Sequence, residues 1–450
     1  MEQHSVANLN SGSSDKRRAA TLSTRSVFSR VCNGFLTAFE QVTRAAGRRP
    51  NVGTLLSIAE RQTGLNDFGD HRFLEAMAFL VESVEREAKL NALGRFVFVE
   101  HVVQLLRNRL YLELDWKLDP TITLRKIPKP IFITGLPRTG TTLLHSLLAQ
   151  DTEIFAAPLT WEVIYPSAAQ GDDRLRIRRT ESQLKWFELL VPGLKTIHPV
   201  AAELPQECVA IMSHCFMSEE FDTMFDLPGY ESWVEGQDQR EIYAFHKRFL
   251  QHIHPGPERR FVLKAPAHLR AVDAIFDVYP DAHIIHTHRH PAQVIPSLSS
   301  LIVTLKGAFS YNINPIEVGP GAVDYCLRNL RKFFSSLDRL SASAYTDVAY
   351  LDLVRNPMGV VRRIYARLGE QLSPEAEAKM ERFLARNPQG KWGRHHYSLA
   401  DFGLRLEAID ELFRFYTERY DMDARGPVIS KSVVSRQFWV PGRRQPVFLY

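Results

Sequence analysis

The sequence predicts an α/β protein: a parallel sheet with helices on both faces, preceded by a helical unit. Three observations predict it. From Ile131 onward, short apolar strand candidates alternate with helical patterns, the signature of parallel strands joined by crossover helices. The first strand runs into a Gly-rich turn that opens a helix, in "IFITGLPRTGTTLLHSLLAQ". Before it, apolar residues such as Phe73, Met77, Leu80, Val81 and Val84 recur at three- and four-residue steps, the helical period.

Taken in order, residues 1–26 are polar and Ser-rich with a Lys16-Arg17-Arg18 cluster, and read as a disordered tail with a faint transit-peptide bias. Residues 27–117 read as the helical subdomain, and the Pro-containing stretch Leu118–Pro130 as a linker. The sheet domain spans 131–424. Its strands are predicted at "IFIT", "RFVLKAP", "AHIIHTHRHP" and "VAYLDLVRNP", its helices at "TTLLHSLLAQD", "LRAVDAIFDVYPD", "PAQVIPSLSSLI" and "MGVVRRIYARLG". Residues 425–450 form an apolar and basic C-terminal arm. The N-terminal helices are candidates for shaping a ligand site or a homodimer interface, and the arm for packing on the core or a neighbour or for touching a membrane.

The totals exclude several classes. With 45% hydrophobic and 24% charged residues, the chain is of ordinary globular composition. A net charge of +5 suits a small anionic ligand but is too weak for nucleic acid. Four cysteines without a C-x-x-C pair make neither a disulfide framework nor a metal site, and read as buried thiols of a reducing cytoplasm. No uninterrupted apolar run approaches the roughly 18 residues of a membrane span.

In an open α/β sheet, ligands bind beyond the carboxyl ends of the strands. That rule selects the turns at 135–142, 264–268, 289–297 and 352–357. The first is a phosphate-binding loop without its lysine: Gly135 and Gly140 have the G-x-x-x-x-G spacing, but Thr141 and Thr142 follow directly. The loop offers backbone N–H groups, a helix N-terminus and two hydroxyls to one anion. A triphosphate needs the lysine and usually a metal. Arg138 supplies instead one planar, bidentate charge, which suits the less charged sulfuryl group.

"GLPRTGTTLL" resembles the 5′-phosphosulfate loop of sulfotransferases that use 3′-phosphoadenosine 5′-phosphosulfate (PAPS), in particular the bacterial-type group similar to the tyrosylprotein sulfotransferases. The resemblance implies a P-loop, nucleotide-kinase-like fold, PAPS as co-substrate, no metal, and a small-molecule or lipid acceptor. Pro137, Arg138, Thr139, Gly140, Thr141 and Thr142 would hold the phosphosulfate. "THRHPAQVIPS" places Arg289 and Ser297 at the spacing of the family's 3′-phosphate ligands. "LKAPAH" resembles the family's K-x-P element, which gives Lys264 the leaving oxygen. "YLDLVRNP" resembles a segment in which Tyr350 lies by the nucleotide. "NPQGKWGRHHYS" resembles the G-x-x-G loop over the 3′-phosphate through Gly390 and Gly393. Pro388 and Gln389 stand where the family has Arg-Lys, with Lys391 and Arg394 as substitutes.

A hydroxyl acceptor needs a base within hydrogen-bond reach. Glu162 follows the loop helix, and His268 lies just beyond Lys264. Glu203, Glu207 and His198, in the insert "HPVAAELPQECVAIMSHCFMSEEFD", are weaker candidates. The alternatives are a P-loop small-molecule kinase, with Asp352 as its metal ligand, and a nucleotide-binding scaffold without catalysis.

Overall fold

The computed structural model describes residues 51–191, 200–254, 256, 259–337, 339–388 and 398–422. The tail at 1–26, the arm at 425–450, Cys32, His198, Gly390, Lys391, Gly393 and Arg394 lie outside them.

Five parallel strands form one sheet: β1 (Ile131–Thr134), β2 (Phe155–Ala156), β3 (Arg260–Lys264), β4 (His283–His288) and β5 (Tyr345–Ala349), in the order β2-β3-β1-β4-β5. β1 is central, pairing Ile131 with Val262 of β3 and with His283 of β4. The chain leaves β1 toward β2 and β3, then crosses to β4 on the other side, so the direction of winding reverses beyond the end of β1.

Alternation along the strands explains why both faces are covered. Phe132, Leu263 and Ile284 point into the larger core, which the N-terminal helices share. Ile131, Ile133, Val262 and Ile285 point into a smaller core closed by Leu144, Leu148, Leu353 and Ile364. Among the described residues the N-terminal helices are α1 (Val52–Thr63), α2 (Phe73–Arg86) and α3 (Ala92–Leu118). Their aromatic rings meet those of the insert: Phe73 lies 5.8 Å from Phe216, and Phe98 meets Phe225 edge-on at 5.5 Å. Cys208, Cys215 and Cys326 are buried free thiols.

One predicted element needs correction, and one strand was missed. The sequence predicts a strand over Val348–Pro357, but the strand stops at Ala349, and Tyr350–Arg355 is a helix. Only Leu353 of that turn is buried, the pattern of one helical face rather than of a sheet strand. The strand β2 was not predicted; two residues carry no readable period.

Further helices used below are α4 (Thr141–Leu148), α5 (Pro291–Phe309) and α6 (Tyr350–Arg355). Among the described residues α5 alone is long and apolar enough to cross a membrane, yet it is a core helix with 61% of its apolar window buried. Its C-terminal end is locked to the start of α3. Asn91 N donates to the Phe309 carbonyl at 2.9 Å, and Asn91 Nδ2 to that of Ala308 at 3.0 Å. A Cβ on Gly94 would stand 2.1 Å from the Phe309 carbonyl oxygen, a backbone atom with no room to yield. Gly94→Ala is therefore expected to destabilise the fold by about 1–3 kcal/mol, read as a lower urea midpoint. In Gly321→Ala, where a Cβ meets nothing within 4 Å, helix propensity should raise the midpoint slightly.

Candidate functional site

The loop after β1 is shaped by close backbone approaches. Gly135 has φ 154°, and a Cβ there would meet the Thr287 carbonyl oxygen at 2.3 Å. Gly140, at φ 92°, passes under Leu353 and the Tyr350 ring, which a Cβ would meet at 2.9 and 3.2 Å. Arg138 sits between them at φ 71°, a conformation that L residues avoid. Thr139 is fully buried; its hydroxyl donates to the Leu136 carbonyl and shares a 2.6 Å bond with the Thr287 hydroxyl. It braces the loop from inside and leaves only its backbone to a ligand. No side chain caps α4, so Gly140, Thr141 and Thr142 bring N–H groups without intrahelical partners to the cavity wall.

Three sequence-predicted residues converge on Arg138. Its Nε donates to Ser297 Oγ at 3.1 Å, in the second turn of α5. Arg289, just past β4, donates from Nη1 to the Arg138 carbonyl at 3.1 Å and from Nε to Gln293 Oε1 at 3.1 Å. The Arg289 guanidinium lies over the Tyr350 ring, 4.1 Å from its centre. Tyr350 reaches that place because α6 begins there.

Lys264 ends β3 and is almost fully buried. Its ammonium donates to Thr142 Oγ1 at 3.3 Å and makes an ion pair with Glu207. Glu207 arrives from the insert, and local pairing explains how. The segment before it runs against residues 158–161: Gln206 N donates to the Pro158 carbonyl at 2.8 Å, and Thr160 N to the Leu204 carbonyl at 3.0 Å. Glu207 then precedes the helix Cys208–Met212. His145, in α4, donates from Nε2 to the Val262 carbonyl at 3.0 Å, and burial followed by the Lys264 charge pushes its pKa down to about 3.

The two leading base candidates point elsewhere. Glu162 accepts the Leu159 N–H at 2.8 Å and caps its own short helix, while its neighbours Val163 and Ile164 line the cavity. His268 is fully buried under the sheet, with Nδ1 2.5 Å from the Tyr243 hydroxyl and its ring edge-on to Phe132. Burial holds its pKa well below the usual histidine range. Glu203 is exposed. Asp352 is exposed too and pairs with Arg363 at 3.3 Å. Sequence reasoning ranked Glu207 below Glu162. The signal for it was the turn "ELPQEC" alone, without a spacing rule to connect it to Lys264.

Arg138, Thr142, Glu207, Lys264, Arg289 and Tyr350 open onto one cavity of about 1970 Å³. That exceeds the roughly 300–1,000 Å³ of an ordinary ligand site and leaves room for two substrates. Beyond the loop Leu184, Phe187, Met224, Leu301, Leu305 and Ile313 give it an apolar stretch of wall.

Residues 130–374 match the sulfotransferase family, which is more than half of the chain. The protein belongs to the sulfotransferase family. It is 32% identical to sulfotransferase STF1 of Mycobacterium tuberculosis, whose crystal structure superposes with a TM-score of 0.72 over 81% of this chain and 98% of that one. Sulfotransferase STF9 of Mycobacterium avium is 25% identical, with a TM-score of 0.76 over 84% of this chain and 99% of that one. The omega-hydroxy-beta-dihydromenaquinone-9 sulfotransferase Stf3 of Mycobacterium bovis is 26% identical over 319 residues, 66% of this chain and 76% of that protein. The protein is thus an enzyme of sulfuryl transfer on a P-loop-like α/β fold.

Glu162 gives the site a testable pH signature. Burial pushes its carboxyl from 4.5 up to about 7. A raised folded pKa means that this proton stabilises the fold. The contribution is complete below the unfolded value and is lost as pH rises through about 7. Glu162→Gln keeps an oxygen for the Leu159 N–H and should flatten the fall in urea midpoint between about pH 5 and about pH 8. Equal slopes in both proteins would show that the carboxyl titrates normally.

Proposed function

We propose that this sulfotransferase uses PAPS and transfers its sulfuryl group to the hydroxyl of an apolar small-molecule or lipid acceptor, releasing adenosine 3′,5′-bisphosphate. The observation that carries the reading is the shared cavity. Anion-binding groups of the loop, Arg138 backed by Ser297, and Arg289 stand at one side, the Lys264–Glu207 pair stands beside Thr142, and an apolar stretch of wall lies beyond them. The name of the mycobacterial Stf3 relative describes a lipid with a hydroxyl, the same kind of acceptor that these walls fit.

In this reading Glu207 is the base. Its carboxylate takes the proton of the acceptor hydroxyl as that oxygen bonds to sulfur. The bond from sulfur to the bridging phosphate oxygen breaks, and Lys264 stabilises the charge left on that oxygen. Arg138 and the α4 N–H groups hold the sulfuryl and 5′-phosphate oxygens. Arg289 and Ser297 take the 3′-phosphate, and the Tyr350 ring fixes the Arg289 plane. Lys391 and Arg394 belong to the same 3′-phosphate role. Glu207 is preferred to Glu162 and His268 because it alone of the three touches Lys264.

Adenosine 3′,5′-bisphosphate without metal should raise the melting temperature, with stabilisation of about 2.7 kcal/mol at a hundredfold excess over its Kd. A rise only with magnesium and ATP would turn the reading to a kinase. Glu207→Gln should lower kcat by about 10²–10⁴-fold while the bisphosphate shift persists. Arg289→Ala should instead raise the KM for PAPS; an unchanged KM removes Arg289 from the 3′-phosphate site.

A further inference from the structure

The wall of the cavity formed by the insert and by the helix Pro315–Leu337 is acidic, and its charges do not balance. Lys306 bridges Asp222 and Asp226 at 3.0 and 2.9 Å. Arg270 meets Glu219 at 3.2 Å, and Glu219 also accepts the Tyr325 hydroxyl at 3.1 Å. Arg328 pairs with Glu235 and with Asp324. These three cations thus serve five carboxylates, and Glu220, Glu231 and Glu317 add further carboxyls to the cavity lining.

Glu231 differs from the others. It lies in the helix Pro228–Glu235, is 9% exposed and lines the cavity. Among the described residues its carboxyl makes neither a hydrogen bond nor an ion pair. The charged groups that act on it are Asp222, Glu219 and Glu235, all acidic, against Arg270. Burial and then Asp222 push its pKa up to about 8. A buried carboxyl without a partner is costly. Lys306 cannot relieve it, being held between two aspartates, and Arg270 is engaged by Glu219.

We infer that Glu231 anchors an ammonium group of the acceptor, so that the preferred acceptor is an amino alcohol whose hydroxyl reaches Glu207 while its ammonium rests on the acidic wall. The inference rests on the reading of this cavity as the acceptor site. An ammonium at Glu231 gives the carboxyl the charge-assisted partner it lacks and corrects the excess of carboxylates around it. The apolar walls then cover the carbon skeleton between the two ends.

The test uses ω-amino alcohols and the matching α,ω-diols, from propyl to dodecyl, titrated calorimetrically into the full chain saturated with adenosine 3′,5′-bisphosphate. A melting-temperature shift with the bisphosphate is recorded first, so that failure of the nucleotide site is seen separately. At the best chain length the amino alcohol should bind roughly tenfold tighter than its diol or better, and Glu231→Gln should abolish the difference while keeping the bisphosphate shift. In the unaltered protein, binding of the amino alcohol near neutral pH should release protons, as Glu231 ionises, and binding of the diol should not. Equal affinities, tighter diols, no binding of any amino alcohol, or an advantage that survives in Glu231→Gln would overturn the inference. Should the variant fail to fold, proton release decides alone, and its absence is the overturning result.

Discussion

The site depends on one buried cation. Lys264 sits at the end of a strand whose five residues are all buried, and its side chain is only 3% exposed. Taking an ammonium out of water costs several kcal/mol unless opposite charge and hydrogen bonds replace the solvent. Thr142 supplies a hydroxyl oxygen and Glu207 supplies the charge. Residues 200–207 form no helix or strand of their own, so the chain must be pinned close by. The pairing of residues 204–206 with 158–160 does that. The same contact that satisfies Lys264 in the folded protein therefore sets where the proposed base stands.

A second constraint runs along α5. Its second turn presents Ser297 to Arg138, and its middle turns present Leu301 and Leu305 to the cavity. One residue later Lys306 holds Asp222 and Asp226 of the insert, and its end receives Asn91 and Gly94 of α3. One rigid element thus fixes the distance between the anion-binding groups, the apolar wall and the N-terminal helices. This explains why α2 and α3 share the large core with the sheet. Their aromatic residues press the insert against α5, with Phe225 between Phe98 and Phe309.

Much of this arrangement was legible in the sequence, for a local reason. The loop, Lys264, Arg289 and Ser297 all lie at strand ends or helix starts, where a few residues of spacing determine direction. Tyr350 was singled out as a residue, although its helix was taken for a strand. Glu207 was legible only as a weaker candidate, because its place depends on a pairing with residues more than forty positions earlier. Glu162 and His268 have the neighbours expected of a base along the chain. Their directions are set by contacts that the spacing does not encode: a free N–H at the start of a helix for Glu162, and the Tyr243 hydroxyl for His268.

The cavity has two electrical poles. Arg138, Arg289 and Lys264 stand at the loop, and Glu219, Asp222 and Asp226 stand on the wall formed by the insert. The net charge of +5 says nothing about this, since it sums over both. In a site shielded from water each pole acts more strongly than it would at the surface. A multiply charged anion is drawn to the arginines and repelled from the carboxyls, and a cationic group is sorted the other way. Two substrates that differ in sign can then enter one open cavity without exchanging places. In the proposed reaction the sulfuryl donor lies by the loop amides and Lys264, and the acceptor lies with its hydroxyl toward Glu207. Apolar contact alone gives an elongated acceptor no preferred direction, because it is nondirectional. The separation of charge supplies that direction.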